Sequence, residues 1–506
     1  MQRFIFTVLL FAVPFGLCFA APLSPAEQAA FKKRLLPQPQ KIEFTGNADV
    51  VLDSTLTVNI ELGVGDSSAA QKVKTLFKQF FGTEPKIVVA KTDGVPAASE
   101  AYRISATGKT LTLSAADFAG IRYALYSIRQ LAEYNHDSEH LTAYFLPEVK
   151  ITDAPAMKFR GIHICWFPES RAARIEQAIR LAAYYKMNYA VLECWGTFPS
   201  VKHPEIGWEG KKAKIEDIRR LVKTGKELGI TLIPQFNLFG HASGSRGGSL
   251  KHTPLDRHPE LLPLYEPDGW TWCISNPATK TVIADIVLEM YEAFDKPPFF
   301  HVGFDEAGAP ECRRCLRTDY TQLLKEHLLY FHKLLAQQNC RIMMWHDMLL
   351  DTADPRWNGY TVCGNKKTAA ILDELPKDIV ICDWQYGTGK EKDETWATQR
   401  YFKEKEFTVL ACPYEDTSGM RSQGRNIVDA KLDGMLCTSW HHLYGQNFYK
   451  IFSMGAQVMW HAPPDYPGVW SEVFGRHLRQ IGWDIPITDY RDSGWLDWQL
   501  PPEPAQ

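Results

Sequence analysis

Residues 299–306 read Phe299-Phe300-His301-Val302-Gly303-Phe304-Asp305-Glu306, a largely apolar run that ends on two neighbouring carboxylic acids. The run does not alternate apolar with polar residues, as a strand with one wet face would, so it reads as a strand covered on both faces. The strand is expected over 299–305, and the same texture recurs at 159–165, 189–195, 230–237, 341–347, 379–384, 408–413 and 434–440. Helical patterns fall between them at 174–187, 215–228, 278–294 and 320–338. In the first of these Ile175, Ala178, Ile179 and Ala182 keep the i, i+3, i+4, i+7 spacing of one buried helix face. Eight buried parallel strands with helices between them, over about 300 residues, predict a (β/α)8 barrel of the α/β class. A doubly wound open sheet is the rival, but no G-x-G-x-x-G turn follows any early strand.

Upstream the texture changes. Residues 36–150 carry short alternating strands, Tyr102-Arg103-Ile104-Ser105 and Leu111-Thr112-Leu113-Ser114, with helical segments near 68–81 and 116–132. This predicts a small α+β domain before the barrel. At the N-terminus, Arg3 precedes an apolar stretch over 4–15, and Cys18-Phe19-Ala20 supplies small residues where a signal peptidase reads. The expected organisation is a signal peptide over 1–20 cleaved near Ala20, an α+β domain over 21–150, the barrel over 155–465, and a C-terminal segment over 466–506. Export to a periplasmic, secreted or lysosome-like compartment follows from the leader. No later stretch is apolar for long enough to span a bilayer.

The chain has 506 residues and a net charge of −3, which argues against nucleic acid or an anionic membrane as partner. Its fifteen Trp residues hint at a ligand that stacks on flat faces. Of eleven Cys residues, Cys165, Cys194, Cys382, Cys412 and Cys437 sit inside strand candidates and read as small buried hydrophobes. Cys312 and Cys315 form a C-x-x-C pair in a polar loop. Without the second pair a structural zinc site needs, it is expected to be a local disulfide or unlinked. Neither a metal nor a cofactor is expected.

Barrel chemistry belongs at the C-terminal ends of the strands. There stand Asp305 and Glu306, and also Trp345, Trp384, Tyr414 and Trp440 at the ends of strands five to eight. Asn237, His241, Asp347, Asp416, His441 and His442 lie at comparable heights. Two adjacent carboxylates repel each other, a cost that is useful when one must hold a proton while the other stays ionised. On a regular strand they would point apart, so the chain has to turn after Phe304, and Ala307-Gly308-Ala309-Pro310 allows it. Aromatic faces suit the C–H faces of sugars, and a carboxylate pair beside them suggests glycoside hydrolysis.

The string His301-Val302-Gly303-Phe304-Asp305-Glu306 resembles the H-x-G-G-D-E signature of glycoside hydrolase family 20, the β-N-acetylhexosaminidases. Leu36-Pro37-Gln38-Pro39-Gln40-Lys41-Ile42, the stretch Asp117 to Leu125, Asp153-Ala154-Pro155 and Arg160-Gly161 resemble other parts of that family, so the likeness covers roughly residues 36 to 460. Strand three, ending Phe239-Gly240-His241, and the loop with Cys312 and Cys315 resemble a divergent, hexosaminidase D-like branch. The departures are specific. Cys165 and Pro168 stand where the family has an Asp and a substrate-binding Arg, Val191-Leu192-Glu193 replaces H-W-H, and Trp440-His441-His442 replaces W-x-E.

The resemblance implies an exo-acting enzyme whose substrate's own 2-acetamido oxygen attacks the anomeric carbon, with terminal N-acetylhexosamine as substrate. Glu306 would be the acid and base, and Asp305 would orient the acetamido group. Tyr414 would bond its oxygen, and Trp345, Trp384 and Trp440 would wall the sugar. Glu193 and Asp416 would add polar contacts, while His241 is either a contact or a packing histidine. Two alternatives stay open. One is a retaining glycosidase with a protein nucleophile (Glu193, Asp347 or Glu415), the other a silent glycan-binding protein.

Overall fold

In the computed structural model, residues 22–134, 144–167, 170–208, 210, 212–242, 254–386, 395–440, 443, 446–461 and 471–482 are described. The leader over 1–20, His441 and His442 lie outside them. Strands β1 (Lys41–Leu52), β2 (Thr57–Leu62), β3 (Lys86–Lys91), β4 (Tyr102–Thr107), β5 (Thr110–Ala115), β6 (Glu133–Tyr134) and β7 (Tyr144–Asp153) form one sheet. Their order is β1-β7-β4-β5-β2-β3, with β6 beside β7. Alternation decides which face is covered. Val58, Ile60 and Leu62 of β2, and Tyr102, Ile104 and Ala106 of β4, are buried while their neighbours are not. Helices Ala69–Phe81 and Phe118–Leu131 cover that face with Val73, Phe77, Ile121 and Ile128. The sheet runs on past residue 150, since β7 stays paired as far as Asp153.

Beyond it the strands bury nearly every residue. β8 (Phe159–Trp166), β9 (Tyr189–Cys194), β10 (Thr231–Gln235), β11 (Phe299–His301), β12 (Arg341–Trp345), β13 (Val380–Asp383), β14 (Thr408–Ala411) and β15 (Gly434–Thr438) are parallel neighbours in chain order. The ring closes where β15 pairs with β8, from Gly434 opposite Phe159 to Thr438 opposite His163. This is the expected (β/α)8 barrel behind a small α+β domain. Helices at Ala172–Tyr184, Ile215–Leu228, Pro277–Ala293 and Tyr320–Ala336 fall where the periodicity placed them. Phe159, Val191, Ile233, Met343, Val380, Leu410 and Leu436 pack into one cluster, one residue from each of seven strands, and partly buried Phe299 of β11 packs against it. The fourth strand is shorter than expected. The regular strand ends at His301, with Val302 N and Gly303 O still bonded to β12, because Gly303 and Phe304 take φ +63° and +84°, outside the range of a strand.

The α+β domain docks on the N-terminal end of the barrel through buried charge. Arg160, at the start of β8, donates to Glu100 at 2.6 and 3.0 Å, to Lys186 O and to Tyr123 Oη. Lys186 Nζ donates to Tyr102 Oη at 2.7 Å and Asp153 Oδ2 at 3.2 Å, and Trp460 Nε1 donates to Asp153 Oδ1 at 2.9 Å. The helix Ser471–Gln480 joins the same seam, where His477 lies between Arg34 O and Tyr185 Oη.

All ten cysteines among the described residues are free, including Cys312 and Cys315, and the five in strand candidates are buried as expected. No described helix is long and apolar enough to cross a membrane.

Candidate active site

The turn demanded by two adjacent carboxylates is built from backbone strain. After β11, Gly303, Phe304 and Glu306 all have positive φ, 63°, 84° and 45°. Only glycine takes such values freely, so the two non-glycine residues are held there by their surroundings. Gly303 also presses on the strand-three loop, since a side chain there would collide with Asn237. Gly240 in turn has no room for a side chain beneath the Asp305 carbonyl. The two loops therefore interlock, and His241 (φ 56°) is set between both acids. Its Nε2 lies 3.2 Å from Asp305 Oδ2 and 3.2 Å from Glu306 Oε2.

Burial distinguishes the pair. Asp305 is buried and its Oδ1 has no hydrogen-bond partner, whereas the Glu306 side chain keeps 34% of its surface exposed. The Glu306 backbone is clamped on both sides. Its N–H donates to Asp347 Oδ2 at 2.9 Å, and its carbonyl accepts from Trp270 Nε1 at 2.7 Å. Asp347 Oδ1 accepts from Trp384 Nε1 at 3.0 Å. Burial and the nearby Asp305 charge raise Asp347 to about 6. Burial alone would push His241 down, but the carboxylates of Asp305, Glu306 and Glu193 outweigh it and raise it to about 9.

A second layer reaches down strands two and one. Asn237 Nδ2 donates to Glu193 Oε1 at 2.9 Å, and His163 Nε2 stands 3.1 Å from Glu193 Oε2. Burial would raise Glu193, yet these bonds and the charges of His163 and His241 bring it down to about 2. Glu193 and His241 face one small cavity together with Trp195 and Asn237.

The aromatics at the strand ends gather, with one correction. Trp440 lies 5.5 Å from Trp345 and 6.3 Å from Trp384, and its Nε1 donates to Tyr386 Oη at 2.6 Å. Half-buried Tyr414 meets Tyr386 at 5.5 Å. Trp345, however, is completely buried against His163, His301 and Trp440, so it supports the pocket instead of walling it. Asp416, expected as a polar contact, caps the helix Thr417–Asp429, accepting from Ser418 N and Oγ at 3.0 and 2.8 Å. Sequence reading missed Trp195, Tyr386 and Trp270. The first two follow strand ends closely and carried that signal; Trp270 lies in a long loop with none.

Two family models match this chain. "Glycosyl hydrolase family 20, domain 2" covers residues 32–154 and "Glycosyl hydrolase family 20, catalytic domain" covers 208–459. The chain belongs to glycoside hydrolase family 20. A β-hexosaminidase of Vibrio furnissii is 25% identical over 411 residues, which span 71% of this chain and 61% of that protein. For a β-hexosaminidase of Porphyromonas gingivalis the figures are 25% over 304 residues, 53% of this chain and 38% of that one. The chain thus spans less than two thirds of these relatives' lengths. Among solved structures, a family 20 β-N-acetylhexosaminidase of Streptomyces coelicolor A3(2) superposes with a TM-score of 0.65 at 14% identity, covering 90% of this chain and 98% of that one. At that identity the likeness speaks for the fold. At the end of β8, Cys165 directs its Sγ to Glu193 Oε2 at 3.4 Å.

Proposed function

We propose that this chain is an exo-acting β-N-acetylhexosaminidase that releases terminal N-acetylhexosamine with retention, using the substrate's acetamido group as nucleophile. One observation carries the reading. The two acids of the β11 loop are held side by side in unlike environments, with the His241 ring within 3.2 Å of both. Glu306, partly exposed and with its backbone clamped, protonates the leaving oxygen and then takes a proton from the attacking water. Asp305, buried with a free Oδ1, accepts the acetamido N–H and stabilises the cationic oxazolinium intermediate. Trp384, Trp440, Tyr386 and Tyr414 supply the faces for the sugar.

A protein nucleophile is disfavoured by the company its candidates keep. Both oxygens of Glu193 and both of Asp347 already accept hydrogen bonds. The decisive test pairs aryl β-glycosides with and without the 2-acetamido group, together with a thiazoline inhibitor. Turnover confined to the N-acetyl substrates, with tight thiazoline inhibition, is expected. Turnover of plain glucosides alone would overturn the mechanism, and saturable binding without turnover would favour the silent glycan-binding reading. Release of monosaccharide only from a chitooligosaccharide checks exo action. Export is part of this proposal, and N-terminal sequencing of the mature protein, expected to start near residue 21, tests it.

A further inference from the structure

The C-x-x-C pair is not alone. Cys273, from the long loop after β10, places its Sγ 3.4 Å from Cys312 Sγ and 3.9 Å from Cys315 Sγ. Glu266 joins them, and one ligand atom from each of the four residues lies within 4.8 Å of all the others. We propose that Glu266, Cys273, Cys312 and Cys315 form a structural site for a zinc-class divalent cation, tying the loop after β10 to the loop that carries Asp305 and Glu306.

Three observations support it. Sulfurs bound tetrahedrally at about 2.3 Å stand roughly 3.8 Å apart, near the 3.4 and 3.9 Å that separate Cys273 from its two partners, whereas a disulfide needs about 2.05 Å. Three thiols also cannot pair off, and Cys273 approaches both members of the C-x-x-C. Secondly, Glu266 is 1% exposed, and only one of its oxygens is used. Oε2 accepts from the backbone N–H of Glu311 and of Cys312 at 2.8 and 2.7 Å, while Oε1 is buried without a partner. A buried carboxylate oxygen with nothing to bond is costly, and a cation between it and the thiols removes the cost. Thirdly, the sulfurs are supported in the manner of ligands. Cys315 N–H donates to Cys312 Sγ at 3.3 Å, and Ser275 Oγ lies 3.2 Å from Cys315 Sγ and 3.4 Å from Cys273 Sγ.

The donor set selects the ion. Three soft thiolates with one carboxylate favour zinc over magnesium or calcium, which take oxygen ligands. Four protein ligands leave no open position, so the site is structural and not catalytic. Its place gives it a consequence. Between Glu266 and Cys273 lies Trp270, whose Nε1 holds the Glu306 carbonyl, and Thr271 Oγ1 accepts from Gly308 N at 2.9 Å. The cation would lock together the two loops whose contact fixes Glu306.

The test uses the full chain, produced without a metal-binding tag in zinc-supplemented medium. Elemental analysis is expected to find about one zinc per chain, released when a mercurial blocks the thiols. Replacement by cobalt(II) is expected to give the intense visible bands of a tetrahedral cobalt thiolate. Cys273→Ser and Cys315→Ser should lose the zinc, and because either may also fold poorly, Glu266→Gln provides a milder probe, expected to lose zinc to a chelator at least ~10-fold faster. Folded protein that takes up neither zinc nor cobalt anaerobically overturns the proposal. So does a native mass lower by two hydrogens with a Cys312–Cys315 linked peptide.

Discussion

At the N-terminal end of the barrel, Arg160 donates from all three of its side-chain nitrogens, and both Asp153 oxygens and the Lys186 ammonium, themselves buried, find partners. At the C-terminal mouth, the same kinds of group are left short. Asp305 Oδ1, His241 Nδ1, Gln235 Oε1 and Trp345 Nε1 are buried without partners. Phe304, Glu306, His241 and Trp440 carry positive φ there, as Glu100 and Lys186 do at the other end, so the unpaired atoms and not the backbone set the two ends apart. One end uses polar chemistry to dock a domain; the other holds polar chemistry open for something the chain does not supply. A β/α barrel separates stability from activity along its axis, and here the separation can be read atom by atom.

The contrast can be broken by mutation. Glu306→Gln should cut turnover of an aryl N-acetyl-β-glucosaminide by about 10²- to 10⁴-fold and leave the melting temperature unchanged. A variant that melted early would mean the mouth also bears stability. Asp153→Ala, which strands a buried ammonium at the other end, should cost about 3–5 kcal/mol in urea unfolding. Its activity per folded molecule should stay normal, and selective loss of kcat would undo the division.

Titration sharpens the comparison further. His241 is raised from 6.5 to about 9, so its stabilising contribution is complete below pH 6.5 and fades as the pH rises to 9. Glu193 is lowered from 4.5 to about 2, so its contribution is complete above pH 4.5 and is lost as the pH falls towards 2. Stability measured against pH should therefore decline from 6.5 to 9 in the parent chain, and His241→Gln should flatten that limb. Persistence of the same slope in the variant would assign it elsewhere. The smallest effect is expected at Asp416→Ala, about 1 kcal/mol from a lost helix cap, with kcat/KM within about twofold of the parent. A drop of 100-fold in kcat/KM would return Asp416 to the sugar site.

How much was legible follows from where the signals sit in the chain. Strands that are buried on both faces announce themselves locally, and seven of the eight barrel strands lie within two residues of their expected ends. β11 is the exception, because its apolar run continues through residues whose backbone turns to positive φ from Gly303 onward. Asp305 and Glu306 were readable as consecutive residues at a strand end. Trp345 shows the limit of such reading: position along a strand gives height in the barrel but not whether another side chain lies on top. Asp416 shows a different ambiguity, because a cap and a ligand contact ask for the same residue type. Trp270 and Cys273 were invisible for a different reason, since each meets its partners only after a loop folds back over some 36 to 42 positions.

The pairing of β15 with β8 spans most of the barrel's length in sequence, with Ser439 Oγ donating to His163 O across 276 positions. Until Gly434–Thr438 has been synthesised, β8 and β14 each present an unpaired edge of N–H and C=O groups, the arrangement that invites strands from other chains. The nascent protein therefore passes through its most aggregation-prone state late, when nearly all of its apolar strand sequence has already been made, and its yield should depend on how quickly that last strand is added.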